Sequence, residues 1–181
     1  MMNIPLFGGP FVFLRHGETD LNASGLVAGR RDVPLNERGV LQARAAARRL
    51  MGRGIDALYC SPMARARDTA RIIEATIGLK AIVLNGLDER DWGALEGQPR
   101  SQRNRAVTPP GGEAADAFAC RTLSALSAIP GSRLPLLVAH SGTFSVLCET
   151  LGIARSEDVI ANCRPLLLTP VAAHAWKSEA L

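Results

Sequence analysis

Three short apolar runs in this chain break off abruptly into polar, chemically active residues. Phe11-Val12-Phe13-Leu14 ends in Arg15-His16-Gly17, Ala57-Leu58-Tyr59-Cys60 ends in Ser61, and Leu134 to Ala139 ends in His140-Ser141-Gly142. Apolar runs of this length read as buried strands. Each is followed, directly or after a loop, by a helical pattern. Asn36 reads as the N-cap of a helix running to about Met51, with Val40, Ala43, Ala47, Leu50 and Met51 as its apolar stripe and Gly52 and Gly54 as its stop. Ser61-Pro62 reads as an N-cap followed by proline in the first turn, opening a helix to about Ile77 that buries Met63, Ala66, Ala70, Ile73 and Ile77. A third strand is expected at Ala81–Leu84, a helix from Glu113 to about Ala128, and a helix after His140 to about Leu151. Pro165–Thr169 reads as a fifth strand and Val171–Trp176 as an edge strand. Residues 22–35 and 97–112, rich in Gly, Pro or Arg, read as loops. Strands alternating with helices define an α/β fold with a mostly parallel central sheet.

Parallel strands place their carboxyl ends on one edge of the sheet, where α/β folds bind ligands. Two histidines, His16 and His140, would then meet two arginines, Arg15 and Arg65, in one crevice. Arginine forks together with helix N-termini suit a phosphate-sized dianion. A neutral imidazole inside such a pocket is a candidate nucleophile toward phosphorus.

Composition narrows the remaining classes. The chain has 181 residues, 47% of them hydrophobic, and is expected to form a single domain over 1–181. No apolar run reaches the roughly 20 residues of a spanning helix. The first residues lack a basic stretch before their apolar ones, so no signal peptide is expected. Cys60, Cys120, Cys148 and Cys163 are scattered, without metal-ligand spacing, and read as reduced thiols of a cytoplasmic protein. The net charge of +4 is carried almost entirely by arginine, and aromatics make up only 4% of the chain. Nucleic-acid binding, which uses aromatics for base stacking, is therefore disfavoured against a small-anion site.

The motifs resemble those of the histidine phosphatase superfamily, the phosphoglycerate-mutase-like proteins. Arg15-His16-Gly17-Glu18-Thr19 with Asn22 is similar to the family's RHG signature. Gly29 to Gly39 resembles its G-x-x-D-x-P-L segment, Ser61 to Ala70 its S-x-x-x-R-A-x-x-T-A segment, and Leu87 to Gly97 its acid loop. Pro110-Gly111-Gly112-Glu113 and Ala139-His140-Ser141-Gly142 look like two further elements. The blocks follow family order and cover most of residues 11–145. Many relatives carry glycine directly after the second histidine, whereas here Ser141 intervenes.

The resemblance implies a three-layer α/β/α sandwich and a phosphomonoester hydrolase acting on a small phosphorylated metabolite, with no metal and no cofactor. His16 would carry the phosphoryl group, with one ring nitrogen donating to a backbone carbonyl or carboxylate. Arg15, Arg65 and His140 would hold the phosphoryl oxygens, and Glu89 would be acid and then base. Asn22, Thr19, Gly29, Trp92, Arg100 and Ser141 are the expected substrate contacts. Arg100, Arg103 and Arg105 read equally well as a solvated patch or as the recognition site for a second anionic group. His174 reads as a surface or packing residue. The helix faces specify neither partner nor oligomeric state. Mutases build a long cap after the acid loop, but here only Gln98–Pro109 separates Gly97 from Pro110. A short cap leaves a phosphoenzyme open to water, which favours hydrolysis over mutase activity. A protein phosphohistidine phosphatase and a non-catalytic phosphate-binding module are further alternatives.

Overall fold

The computed structural model describes residues 4–154, 160–172 and 175–181. His174 lies outside the described residues. Six strands form one sheet: β1 Phe11–Arg15, β2 Ala57–Cys60, β3 Ala81–Val83, β4 Pro135–Ala139, β5 Pro165–Ala172 and β6 Ala175–Ala180. Their spatial order is β3-β2-β4-β1-β5-β6. The first four in that order are mutually parallel, while β5 runs antiparallel to β1 and to β6. The helices are α1 Asp20–Ala23, α2 Glu37–Leu50, α3 Ala64–Ile77, α4 Ala115–Ser127 and α5 Ser141–Leu151.

Alternation along the strands assigns the two faces. Val12, Leu14, Leu58, Cys60, Leu136 and Val138 pack with Ala43, Ala46, Ala47 and Leu50 of α2 and Ala66, Ala70 and Ile73 of α3. Phe11, Phe13, Tyr59, Leu137 and Ala139 pack on the other face with Leu126 of α4 and Phe144, Leu147 and Leu151 of α5. The result is the expected three-layer α/β/α sandwich. β1 and β4 are buried on both faces, as central parallel strands must be.

Local signals account for most element ends. Asn36 caps α2, its Oδ1 accepting from Gly39 N at 2.8 Å. Gly78 and Gly152 close α3 and α5 in the left-handed conformation.

Four expectations need correction. Residues 22–35 are not all loop, because α1 forms one helical turn capped by Thr19. Ser61 does not cap α3, which begins three residues later; Asp32 from a distant loop supplies the acceptor, 2.6 Å from Ala64 N. On α2, Ala46 is buried whereas Met51 is 59% exposed beyond the helix end. The edge strand is not Val171–Trp176: β5 continues to Ala172 and β6 pairs back along it. No helix of the described residues is long and apolar enough to cross a membrane.

Candidate active site

Register brings the strand ends together. Arg15 pairs with Ala139 and Cys60 with Val138. One residue further, His16 N donates to Ala139 O and Ser61 N to Val138 O, both at 3.0 Å. His16, Ser61 and His140 thus leave the sheet side by side, and the two imidazole centroids lie 5.2 Å apart.

His16 is held in one tautomer. Its Nδ1 is 2.7 Å from Gly17 O, to which it can only donate, and its Nε2 accepts from Arg65 Nε at 3.2 Å. Burial, followed by the charges of Arg65 and Arg15, pushes the His16 pKa well below the usual histidine value, so the ring is neutral. His140 is pushed the same way, by burial and then by Arg65 and His16.

Arg65 is 1% exposed. Besides His16 it donates to Arg31 O and Gly29 O, each at 2.9 Å. Thr69 Oγ1 donates back to Arg65 O and accepts from Gly17 N, tying α3 to the His16 loop. That loop packs backbone against backbone on α2: a Cβ on Gly17 would strike Gly39 O, so both positions must be glycine. Arg15 donates through Nη1 to Ile160 O at 3.1 Å. Burial first, then Arg100, lowers its pKa to about 10, so it stays charged at neutral pH.

Glu89 sits against the start of α5. Its Oε2 accepts from Gly142 N at 3.0 Å and Ser141 Oγ at 3.3 Å, and its Oε1 from Arg90 N at 2.9 Å. A helix N-terminus suits a carboxylate. A Cβ at position 142 would collide with Glu89 Oε1, so the glycine there makes room for this acid.

Most of the expected site residues line one cavity of about 210 Å³: Arg15, His16, Asn22, Gly29, Arg65, Glu89, Trp92, Arg100 and Ser141. Arg103 and Arg105 line it too, so the cap-loop arginines turn inward rather than forming a solvated patch. The cavity therefore has five arginines against one carboxylate on its walls. Two expected residues are not on those walls. Thr19 is fully buried and accepts from Asn22 N at 3.3 Å, a capping contact in place of the expected substrate contact. His140 stands behind His16, fully buried, with Nε2 2.7 Å from Ser61 Oγ. Two buried nitrogens of this cluster, His140 Nδ1 and Arg15 Nε, have no hydrogen-bond partner among the described residues.

The cap is fastened from outside the site. Arg90, 4% exposed, donates to Glu113 O, Arg105 O and Val107 O at 2.7–3.1 Å. Arg121 grips the Glu113 carboxylate with two nitrogens at 2.9 and 2.8 Å. The guanidiniums of Arg90 and Arg103 lie 4.5 and 5.1 Å from the Trp92 ring centroid. Burial and the neighbouring Arg105 bring the Arg103 pKa down to about 10. From sequence, Asp32, Arg90 and Asn162 have no part in the site and Ser61 reads only as a helix cap. Asp32, Ser61 and Arg90 lie inside the motif segments, a signal that could have found them, whereas Asn162 lies in none.

The model of the histidine phosphatase superfamily (branch 1) matches residues 11–163. The chain belongs to this superfamily. Among curated histidine phosphatases, it is 32% identical over 164 residues to a 2,3-bisphosphoglycerate-dependent phosphoglycerate mutase of Methylobacterium radiotolerans, covering 77% of each chain. It is also 32% identical over 141 residues to the uncharacterized phosphatase PhoE of Bacillus subtilis, covering 74% of this chain and 72% of that one. Among solved structures, a mycobacterial glucosyl-3-phosphoglycerate phosphatase in complex with VO3 superposes with a TM-score of 0.77 at 26% identity, covering 95% of this chain and 98% of the other. Superfamily members are phosphatases and mutases, so the fold and the family are those of enzymes that handle phosphate esters.

Proposed function

We propose that the protein is a phosphomonoester hydrolase that works through a phosphohistidine on His16. The observation that carries this reading is the fixed tautomer: Nδ1 committed to Gly17 O, and the Nε2 lone pair facing Arg65 in a cavity ringed by cations. On substrate arrival Arg65 exchanges its contact with Nε2 for a phosphoryl oxygen. Nε2 then attacks phosphorus, forming the P–N bond as the ester P–O bond breaks. The ester binds as its monoanion, and Glu89 takes that proton and passes it to the departing oxygen. It next takes a proton from water, whose oxygen attacks phosphorus, breaks the P–N bond and releases phosphate. Arg15, Arg65 and the His140 ring stabilise charge on the transferring group.

The cavity volume of about 210 Å³ lies below the roughly 300–1,000 Å³ of drug-sized ligand sites, which supports a small substrate. Arg100, Arg103 and Arg105 on the cap side support a leaving group that carries a second anionic group, a carboxylate or another phosphate.

Mutase activity is the second reading. It is favoured by the curated mutase relative and by Arg100 on the cavity wall, and opposed by the short Gln98–Pro109 cap. The test incubates purified protein with 3-phosphoglycerate and a bisphosphoglycerate primer, beside aryl phosphates and a panel of phosphorylated metabolites. Free phosphate release is expected. Fast isomerisation without free phosphate would replace hydrolase by mutase, and no turnover together with no phosphoenzyme would leave a phosphate-binding module.

A further inference from the structure

We infer that Asn162 is a positioning residue that fixes which end of the Asn22 carboxamide faces the phosphoryl group. The inference rests on the oxyanion site proposed above and names a residue of that site which no motif marks. Asn162 lies between α5 and β5, 140 positions from Asn22 in sequence. Its Nδ2 donates to His16 O at 2.8 Å and to Asn22 Oδ1 at 3.4 Å. An amide nitrogen carries two hydrogens, and these two contacts use both.

The consequence falls on Asn22, which lines the cavity. Its backbone is pinned at both ends, N donating to Thr19 Oγ1 at 3.3 Å and O accepting from Arg100 Nη2 at 3.0 Å. Rotation of the carboxamide is the freedom that remains. With Oδ1 engaged by Asn162, the NH2 of Asn22 is left as a donor. The opposite orientation would set two NH2 groups against each other. It would also offer an oxygen, instead of a donor, to an anionic ligand.

Asn162 is itself held firmly against the end of β1. Cys163 N donates to Arg15 O at 3.0 Å and Arg15 Nη1 to Ile160 O at 3.1 Å, so the segment is tied on both sides of Asn162. Cys163 takes φ +52°, alone among the described non-glycine residues in that region. Such a conformation persists only where the surroundings impose it.

The experiment is a double-mutant cycle on the full chain with Asn162→Asp, Asn162→Ala, Asn22→Ala and the combined variants. It reads orthovanadate affinity by calorimetry, kcat and KM with p-nitrophenyl phosphate, and Tm. Asn162→Asp replaces the donor by an acceptor and turns the Asn22 oxygen toward the cavity. Vanadate affinity is expected to weaken and KM to rise by about tenfold, with kcat within about threefold, the signature of lost uniform binding. Asn162→Ala, which frees the carboxamide without reversing it, is expected to cost about threefold and serves if the aspartate variant does not fold. In the Asn22→Ala background only the loss of the His16 O contact remains, so either change is expected to cost at least about threefold less than in the wild-type background. An equal loss in both backgrounds, or unchanged vanadate affinity in folded Asn162 variants, would overturn the inference while leaving the site intact. A wild-type protein that binds no vanadate would overturn the site reading itself, and this inference with it.

Discussion

The floor of the cavity, where Arg15, His16 and Arg65 meet in front of the buried His140, is braced from behind by main-chain groups, whereas the cap over it hangs on a few side chains. On the floor, carbonyls of Gly17, Gly29, Arg31 and Ile160 fix one imidazole and two guanidiniums, and adjacent strands in register set the spacing of the histidines. In the cap, Arg90 gathers three carbonyls and Arg121 holds Glu113, while Arg103 rests on Trp92. The floor is thus set before any ligand arrives, as electrostatic stabilisation of a transfer step requires. The cap can be rebuilt without touching the sheet. On the proposed function, chemistry belongs to the first region and substrate choice to the second.

The largest effect should come from the floor. His16→Ala is expected to lower kcat by at least about 10⁴-fold, because removing a nucleophile leaves only binding and charge stabilisation. Steady-state phosphate release measures it. Next, Arg65→Gln should cost about 10²–10³-fold in kcat and also lower Tm, since Gly29 O and Arg31 O lose their donor.

The cap should respond differently. Arg103→Ala with Arg105→Ala is expected to raise KM about tenfold or more for substrates bearing a second anionic group, while kcat on p-nitrophenyl phosphate stays within about twofold. Equal losses on both substrates would erase the proposed division of labour. Arg90→Met should cost about 1–3 kcal/mol of stability and speed proteolytic cleavage within residues 98–112, by orphaning three carbonyls.

A separate effect, on stability alone, comes with pH. His16 and His140 have folded pKa values below that of the unfolded chain, so below pH about 6.5 the unfolded state binds more protons. Stability is therefore full above that pH and is lost as pH falls, by up to about 1.4 kcal/mol per pH unit for each ring, until the folded pKa is reached. Chemical denaturation between pH 7.5 and 5 measures the slope, and a flat profile would mean that these rings are charged or solvated in the fold.

Much of the floor was legible in the sequence because its signals are local. An apolar strand that breaks into Arg-His-Gly, and an Asn36 cap with glycine three residues on, can be read from a few neighbours. What escaped is set by distance in sequence. Ser61-Pro62 is a sound local helix start, yet its serine serves His140, and Asp32 from another loop caps the helix instead. Thr19 reads as a ligand contact because it adjoins the histidine motif, but it is fully buried off the cavity and its hydroxyl caps the turn that carries Asn22. Asn162 has no neighbouring pattern at all, since its partners lie 146 and 140 positions away along the chain. In the cap, the arginines of residues 97–112 gave two equally good readings, because whether a loop arginine turns inward depends on what fastens the loop. Arg90 and Glu113 decide that, and neither is on the loop's own apex.

The central claim is that His16 takes the phosphoryl group. Rapid acid-free quenching of the enzyme turning over a ³²P-labelled phosphomonoester, followed by peptide mapping, tests it directly. The account predicts acid-labile, base-stable label on the peptide containing His16 in the wild type and none in His16→Ala. Turnover without such label, or equal label in the alanine variant, would contradict it.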